Sequence, residues 1–182
     1  MPLRRGKKFK KCCYTNPAKA AALTSNWDEL ADLMTKPMQV YKLKVTLVRI
    51  GPNEMSEEVS RTVEMLAWET LHELHREIQS AFQWDDEHLY SFYFCGKLFD
   101  SQNEYAGNPF GEPDGNLRSA ADTELRDLKL KENSEFLYLF DYGDELVHNI
   151  KVEAVRYENE DDHGLPAMIG QIGSPPQYPE WQ

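Results

Sequence analysis

Two acidic residues and a histidine lie within eight positions of one another, at Asp141, Asp144 and His148. A carboxylate beside an imidazole can act as a general acid and base, or supply the first ligands of a metal ion. His88 is a further candidate catalytic residue for the same group. The alternative, which we favour, is structural: Asp141 orients His148 at a sheet edge, and Asp144 suits a turn.

The residues around this group predict a β-hairpin. Residues 135–142 are mostly apolar or aromatic, and residues 145–152 return with alternating polarity. Between them, Gly143 and Asp144 suit a two-residue type II′ turn, because glycine favours its first central position. The first arm is apolar on both faces, as in a strand in the middle of a sheet.

The predicted turn sets the pairing of the two arms. It places Leu139 opposite His148 and Asp141 opposite Leu146. Asp141 and His148 then become diagonal neighbours on one face, roughly 7–8 Å apart at their backbones and within side-chain reach. The predicted face consists of Leu137, Leu139, Asp141, Leu146, His148, Ile150 and Val152.

Hydrophobic periodicity predicts further elements before the hairpin. A capping box at Thr70 and Glu73 opens a helix that ends near Gln83, and its apolar residues recur on one helical stripe. Residues 100–123 show no periodicity, which predicts a long loop of the kind that is usually functional or mobile. The predicted strands cover residues from 40 onward, 60–66, 88–94 and 97–99.

The charge of the chain is divided unevenly along its 182 residues. The formal net charge is −11, yet the first 27 residues hold seven of the 20 basic residues and none of the 31 acidic ones. The residues from Asp28 onward, here called the acidic body, are too negatively charged to bind DNA or an anionic membrane through their general electrostatic field. Nucleic acid remains a possible partner only through the basic N-terminal arm, for which a solvated tail is the alternative.

Cysteine usage and hydropathy predict a cytoplasmic protein. The three cysteines, two of them adjacent, do not form a disulfide framework. There is no hydrophobic core of a secretory signal, and no apolar run approaches the roughly 20 residues of a membrane span. The sequence also has no glycine-rich phosphate loop, zinc-protease helix motif or nucleophile elbow, so we expect no cofactor.

Residues 5–13 resemble the second half of a SEC-C zinc motif. The full motif places a further Cys-x-Cys pair just before this stretch, and that pair is absent. Cys12 and Cys13 alone cannot supply the four ligands of a structural zinc, so they form an incomplete zinc site and we expect no metal.

The order of predicted elements resembles the β-grasp, or ubiquitin-like, fold. Residues 92–98 are similar to the turn after the ubiquitin helix, and residues 125–137 to its final turn and strand. The resemblance implies an α+β protein in which a β-grasp-like mixed sheet packs on one main helix. A further strand at 146–157 would extend this sheet, and an extended proline-rich tail would follow it.

A closer resemblance covers residues 40–182. Residues 71–79, 82–92, 142–144 with His148, and 173–178 resemble the Ri-plasmid open-reading-frame-three-like proteins, a family that implies no established activity. Leu146 stands where this family usually has tryptophan, and Gln83 where glycine is common.

These observations predict three regions and one favoured function. The regions are a basic N-terminal arm with a short helix (1–38), a β-grasp-like core (39–158) and a proline-rich tail packed on the core (159–182). We favour a non-catalytic module that binds a protein partner. The alternatives are a metal-assisted or acid/base enzyme that uses Asp141, Asp144 and His148, and a nucleic-acid-associated protein. The aromatic residues Phe136, Tyr138, Phe140 and Tyr142 form either a docking surface or, as we favour, a face covered by the tail.

Overall fold

The computed structural model describes residues 38–84, 88–108, 117–158 and 165–178. Most of these residues belong to the larger of two compact units, Val40–Arg156 with Gly164–Gln182. The smaller unit, Met1–Gln39 with Tyr157–His163, lies almost entirely outside the described residues. The basic arm and both cysteines of the SEC-C-like stretch also lie outside them, and the predicted division into three regions stays a prediction.

Within the described ranges the chain forms eight strands, one α-helix and one short 3-10 helix at Leu125–Leu128. The strands and the α-helix are β1 Met38–Ile50, β2 Asn53–Leu66, α1 Leu71–Phe82, β3 Tyr90–Tyr93, β4 Glu104–Gly107, β5 Arg118–Ser119, β6 Glu135–Phe140, β7 Leu146–Glu158 and β8 Ala167–Ile172.

All eight strands join one mixed sheet in the order β5-β4-β3-β6-β7-β1-β2-β8. The pair β4–β5 is parallel, whereas β1–β2, β2–β8, β3–β4, β3–β6 and β6–β7 are antiparallel. Strand β7 does not extend the sheet at an edge, because it lies between β6 and β1.

The predicted α+β, β-grasp-like class is therefore wrong. Strands hold 52% of the described residues and helices 13%, so this part of the chain is mainly a large mixed sheet with a single α-helix. The physical reason is that three strands form at positions where the sequence predicts none. Two short ones, β4 and β5, lie in the predicted loop at 100–123, and β8 lies in the predicted tail. The predicted strand at 97–99 is also wrong, since these residues form part of a turn.

The long strand β1 follows directly from its sequence. Tyr41, Leu43, Val45 and Leu47 alternate with polar residues, and all four side chains are buried on one face. They pair with residues of β2 in a regular antiparallel register from Val40 opposite Leu66 to Leu47 opposite Val59. Beyond Leu47 the register shifts, and a bulge leads to the turn that joins the two strands.

The predicted helix is confirmed. The Thr70 hydroxyl accepts a hydrogen bond from the backbone N–H of Glu73 at 3.1 Å, and the Glu73 carboxylate accepts one from the Thr70 N–H at 2.8 Å. Helix α1 ends where Gln83 adopts a left-handed conformation with φ 61°, a conformation that glycine favours. The apolar stripe is buried, comprising Leu71, Leu74, Ile78, Ala81 and Phe82.

A buried arginine links β2, the end of α1 and β8. The Arg61 guanidinium donates hydrogen bonds to the carbonyl oxygens of Ala81 (2.9 Å), Ile172 (3.1 Å) and Gly173 (3.2 Å). It also lies 5.0 Å from the centre of the Phe82 ring. Arg61 therefore holds the edge strand β8 and the last turn of the helix in fixed positions.

Candidate functional site

The hairpin that carries three of the predicted site residues has a different register from the predicted one. Phe140 pairs with Leu146 and Tyr138 with His148, so the connection is a five-residue loop and not a two-residue turn. Gly143 does not have a positive φ; Asp141 and Glu145 do, at 54° and 49°. The predicted pairing of Leu139 with His148 is wrong.

The cause of the longer loop is the side chain of Asp141. Its Oδ1 atom accepts hydrogen bonds from the backbone N–H groups of Gly143 (2.8 Å) and Asp144 (3.4 Å). The Asp141 carbonyl also accepts a hydrogen bond from the Glu145 N–H at 2.7 Å. These bonds end β6 at Phe140, because Asp141 uses its acceptors within the loop.

The shift by one residue reverses the face of β6 that meets the core. Phe136, Tyr138 and Phe140 are buried beside α1, whereas Leu137 and Leu139 pack on the other side of the sheet. Three of the four residues of the predicted aromatic face are thus core residues, and Tyr142 belongs to the loop. The β7 half of the predicted face does lie in the core: Leu146, His148, Ile150 and Val152.

His148 is a core residue and does not meet Asp141. Its ring is fully buried against Phe82 (5.1 Å between ring centres), Trp84 (5.4 Å) and Tyr138 (5.2 Å). Neither ring nitrogen makes a well-directed hydrogen bond to a described residue. Burial lowers the pKa of His148 to about 3, so the ring is neutral at physiological pH.

Asp141 lies instead beside His88. The Nδ1 atom of His88 is 3.6 Å from Asp141 Oδ2, and the Tyr178 hydroxyl donates a short hydrogen bond to the same oxygen. The rings of Tyr178 and His88 stack with their centres 5.5 Å apart. Of the predicted candidates, the structure therefore brings together Asp141 and His88, and adds Tyr178.

Two backbone contacts position this cluster. The Asp141 N–H donates to the Leu89 carbonyl at 3.0 Å, which places the start of the loop beside the residue after His88. The Trp84 indole N–H donates to the Pro176 carbonyl at 3.3 Å, which holds the C-terminal segment near Tyr178. Tyr178 was not predicted as a site residue; its only sequence signal is an aromatic ring in a proline-rich segment.

The charge on Asp141 is favoured by its surroundings. Burial by itself raises the pKa of this carboxyl group, but the hydrogen bonds from the Tyr178 hydroxyl and the Gly143 N–H outweigh it, with a smaller contribution from His88. The net effect lowers the pKa of Asp141. The carboxylate can thus orient the His88 ring, whose side chain is 35% exposed.

The Asp144 side chain forms no hydrogen bond or ion pair with His88 or Tyr178. One of its carboxylate oxygens is buried and has no hydrogen-bond partner among the described residues, and its carbonyl accepts a hydrogen bond from the Gly51 N–H at 2.8 Å. No group of three or more His, Cys, Asp or Glu residues in the described ranges is arranged to hold a metal ion. What remains is a carboxylate–imidazole pair of the general acid/base type.

A second polar cluster lies beneath helix α1. The Tyr138 hydroxyl hydrogen-bonds with His75 Nδ1 (2.7 Å) and accepts a hydrogen bond from the Gln79 side-chain amide (2.8 Å). The Tyr90 hydroxyl and His72 Nδ1 are 2.6 Å apart. Burial lowers the pKa of His75 to about 3, and the neighbouring charges contribute less. His75 thus packs within the core, whereas His72 is only partly buried.

A third polar cluster lies on the opposite face of the sheet. The Oε1 atom of buried Glu104 is 2.7 Å from the Ser91 hydroxyl and 3.1 Å from the hydroxyls of both Tyr93 and Tyr142. Burial raises the pKa of Tyr93 and Tyr142, so both remain hydroxyl donors. Sequence reasoning missed this cluster because Glu104 lies within the predicted loop.

Comparison with known proteins shows the family. The sequence pattern of the plasmid pRiA4b ORF-3-like proteins matches residues 39–177. The chain belongs to this family. The predicted family resemblance is confirmed, and the match includes His88, Asp141 and His148 but ends one residue before Tyr178.

A relative of this pRiA4b ORF-3-like protein and a solved structure of similar fold carry no stated activity. The "Uncharacterized protein y4hQ" of Sinorhizobium fredii is 32% identical over 114 residues, which cover 63% of this chain and 53% of the relative. The chain thus spans about half the length of that protein. The crystal structure of MM3350, a protein of unknown function from Methanosarcina mazei Go1, shares the fold with a TM-score of 0.57 and 23% identity, over 74% of this chain and 70% of the other.

None of the helices in the described ranges is long and apolar enough to cross a membrane.

Proposed function

We propose that this pRiA4b ORF-3-like protein is a non-catalytic protein-binding module, which adds an extended segment of a partner to the free edge of strand β8. The observation that carries this proposal is the exposure of that edge. Among the described residues, β8 is the last strand of the sheet, and Met168, Ile169 and Ile172 are 46%, 49% and 50% exposed.

An edge strand presents unpaired N–H and C=O groups, and most proteins protect such edges with charges, prolines or very short strands. The other edge of this sheet is protected in that way, because β5 has two residues and one of them is Arg118. Strand β8 has six residues and contains no charged residue and no proline. This contrast supports β8 as the edge that pairs with a partner strand.

The β8 edge is also ordered before any partner arrives. It pairs with β2 from Ser60 opposite Ile172 to Glu64 opposite Ala167. The buried Arg61 side chain binds two carbonyl groups at its end. A strand that is already ordered loses little conformational entropy on binding, which favours association.

The partner segment that suits this edge is extended, has apolar side chains, and is flanked by basic residues. The apolar residues would cover Met168, Ile169 and Ile172. The basic residues of the partner would complement the acidic body from Asp28 onward, which holds all 31 acidic residues of the chain. Electrostatic attraction of this kind mainly raises the association rate.

The experiment is a titration of isotope-labelled full-length protein with a synthetic peptide of alternating valine and threonine between lysines. We expect the amide signals of β8 to shift and their hydrogen exchange to slow. The variant Ile169→Lys should weaken binding about tenfold, because it places a charge at the edge. The control Tyr157→Lys changes an exposed aromatic residue outside β8 and should leave binding unchanged.

A peptide in which proline replaces the central residues has fewer donors for the edge and should not bind. Equal binding of both peptides, or shifts confined to other strands, would refute pairing at β8.

A second candidate function is acid/base catalysis by His88 with Asp141. It is favoured by the partial exposure of the His88 ring and by its 3.6 Å separation from a carboxylate that is hydrogen-bonded to Tyr178. A turnover that is lost in both His88→Gln and Asp141→Asn, in protein that remains folded, would replace the binding proposal. Nucleic-acid binding by the basic arm stays a prediction.

A further inference from the structure

Glu104 is a buried carboxylate without a basic partner in the described part of the chain. It is 7% exposed, and none of the described lysine, arginine or histidine side chains forms an ion pair with it. The hydroxyls of Ser91, Tyr93 and Tyr142 all bind the same oxygen, Oε1. Oε2 accepts no hydrogen bond from the described residues.

Phe99 packs on two of the tyrosines that bind this carboxylate, and it has an unfavourable backbone conformation. Its φ is 60°, a left-handed value that is rare for an aromatic residue, and its side chain is 57% exposed. The ring meets Tyr93 and Tyr142 edge to face, with centres 6.2 Å and 6.3 Å apart. Strained residues of this kind cluster at functional sites, and here the strain presents an aromatic ring to solvent.

We propose that Glu104, Tyr142 and Phe99 form a binding site for an organic cation, namely an alkylammonium or guanidinium group. The carboxylate supplies the charge and a free oxygen for a charge-assisted hydrogen bond. The partly exposed rings of Tyr142 and Phe99 supply cation–π contacts. The three hydroxyls fix the carboxylate at Oε1, so that Oε2 is the atom left for the ligand.

Two sources can provide this cation: a lysine or arginine side chain of a protein, or a free amine. Both share the chemistry that the site recognises. The site is independent of the proposed binding edge, because Glu104 belongs to β4 and lies at the other end of the sheet from β8. If one of the two proposals fails, the other is therefore unaffected.

The test is a titration of full-length labelled protein at low salt, followed by the NMR signals of Phe99 and Tyr142. One arm uses n-butylammonium, and the other a capped tripeptide with a single lysine. We expect both to bind with millimolar Kd, and Glu104→Gln to weaken binding about tenfold or more. Tighter binding of the tripeptide would indicate a protein side chain as the source; equal binding would indicate a free amine.

The acidic body attracts any cation, so the matched control is Glu58→Gln. Glu58 is a partly paired carboxylate that hydrogen-bonds Ser60 and lies 2.8 Å from Lys44. Its loss should leave butylammonium binding unchanged within about twofold. An equal loss in both variants, or no binding to the unaltered protein up to about 50 mM, would overturn the proposal.

A second variant keeps the test valid if Glu104→Gln does not fold. Phe99→Leu retains the carboxylate and its three hydroxyl partners and removes only an exposed ring. It should weaken butylammonium binding several-fold, whereas Tyr157→Leu, at another exposed aromatic residue, should not. Unchanged binding in Phe99→Leu would contradict the aromatic part of the site.

Discussion

The imidazole ring of His75 lies flat on the ring of Tyr90, with ring centres 3.7 Å apart and planes 3° from parallel. This contact joins α1 to β3 in the interior, and it places an ionisable group where water does not reach. His148 on β7 likewise faces α1, where its fully buried ring meets Phe82. Both rings are stable there only in the neutral form, which gives the fold a dependence on pH.

Acid should destabilise the protein through these two histidines. Each has a folded-state pKa of about 3, against about 6.5 when unfolded. Between these values the unfolded chain binds more protons, so the stabilisation is complete above about pH 6.5 and is lost progressively as the pH falls towards 3. We expect the free energy of unfolding to fall by on the order of 2 kcal/mol per histidine from pH 7 to 5.

Urea unfolding of His148→Leu at both pH values tests this expectation. This side chain makes no well-directed hydrogen bond, so an apolar residue of similar size removes its proton linkage at small cost. The variant should lose about half of the pH dependence. His88→Gln, at a partly exposed histidine, serves as control and should keep it. If His148→Leu leaves the dependence of the free energy of unfolding on pH unchanged, the His148 ring protonates in the folded state.

Asp141 should be the residue on which the hairpin loop depends. Asp141→Ala removes the acceptor of the Gly143 and Asp144 N–H groups and places alanine at a positive φ. We expect a loss of about 2–3 kcal/mol in the free energy of unfolding. Asp141→Asn keeps an acceptor and tolerates this backbone conformation, so its loss should be clearly smaller. Equal losses in both variants would indicate that the charge, rather than the loop geometry, matters.

The parts of this fold that could be predicted are those encoded by neighbouring residues. The capping box at Thr70 and the alternation in β1 act over a few positions, and both elements form where they were predicted. The hairpin shows the limit of such reasoning. The Gly143-Asp144 pair suggested a short turn, but the Asp141 side chain competes for the same N–H groups and lengthens the loop. One residue of register then separates Asp141 from His148.

The missed strands lack local signals and depend on distant partners. Strand β4 has four residues, and it forms because it pairs with β3 from Tyr90 opposite Gly107 to Tyr93 opposite Glu104. Strand β8 contains a glycine and lies between prolines, yet it pairs with β2. The Asp141–His88 contact has the same origin, since it joins a loop and a turn more than 50 positions apart. No window along the sequence contains such information.

Gly107 should be intolerant of any side chain. A Cβ atom at this position would lie 1.9 Å from the Tyr90 ring, so Gly107→Ala must displace the ring that stacks on His75. We expect a loss of about 1–3 kcal/mol in the free energy of unfolding. Gly170→Ala is the matched control, because its Cβ would make an ordinary 3.5 Å contact with Thr62. Similar stability of the two variants in urea would show that Tyr90 moves aside easily.

The buried Arg61 side chain should hold the binding edge in place. Arg61→Met fills similar space, but leaves the carbonyl groups of Ala81, Ile172 and Gly173 without this donor. Ala81 is buried, and a buried unsatisfied acceptor costs about 1–3 kcal/mol, whereas water can reach the exposed residues Ile172 and Gly173, so we expect a loss of about 1–3 kcal/mol. Hydrogen exchange should accelerate first in β8, because two of these acceptors lie at its end. Arg118→Met removes a largely exposed arginine at the opposite edge and should change stability by less than about 0.5 kcal/mol. Uniform acceleration across all strands would mean that Arg61 stabilises the whole sheet rather than its β8 edge.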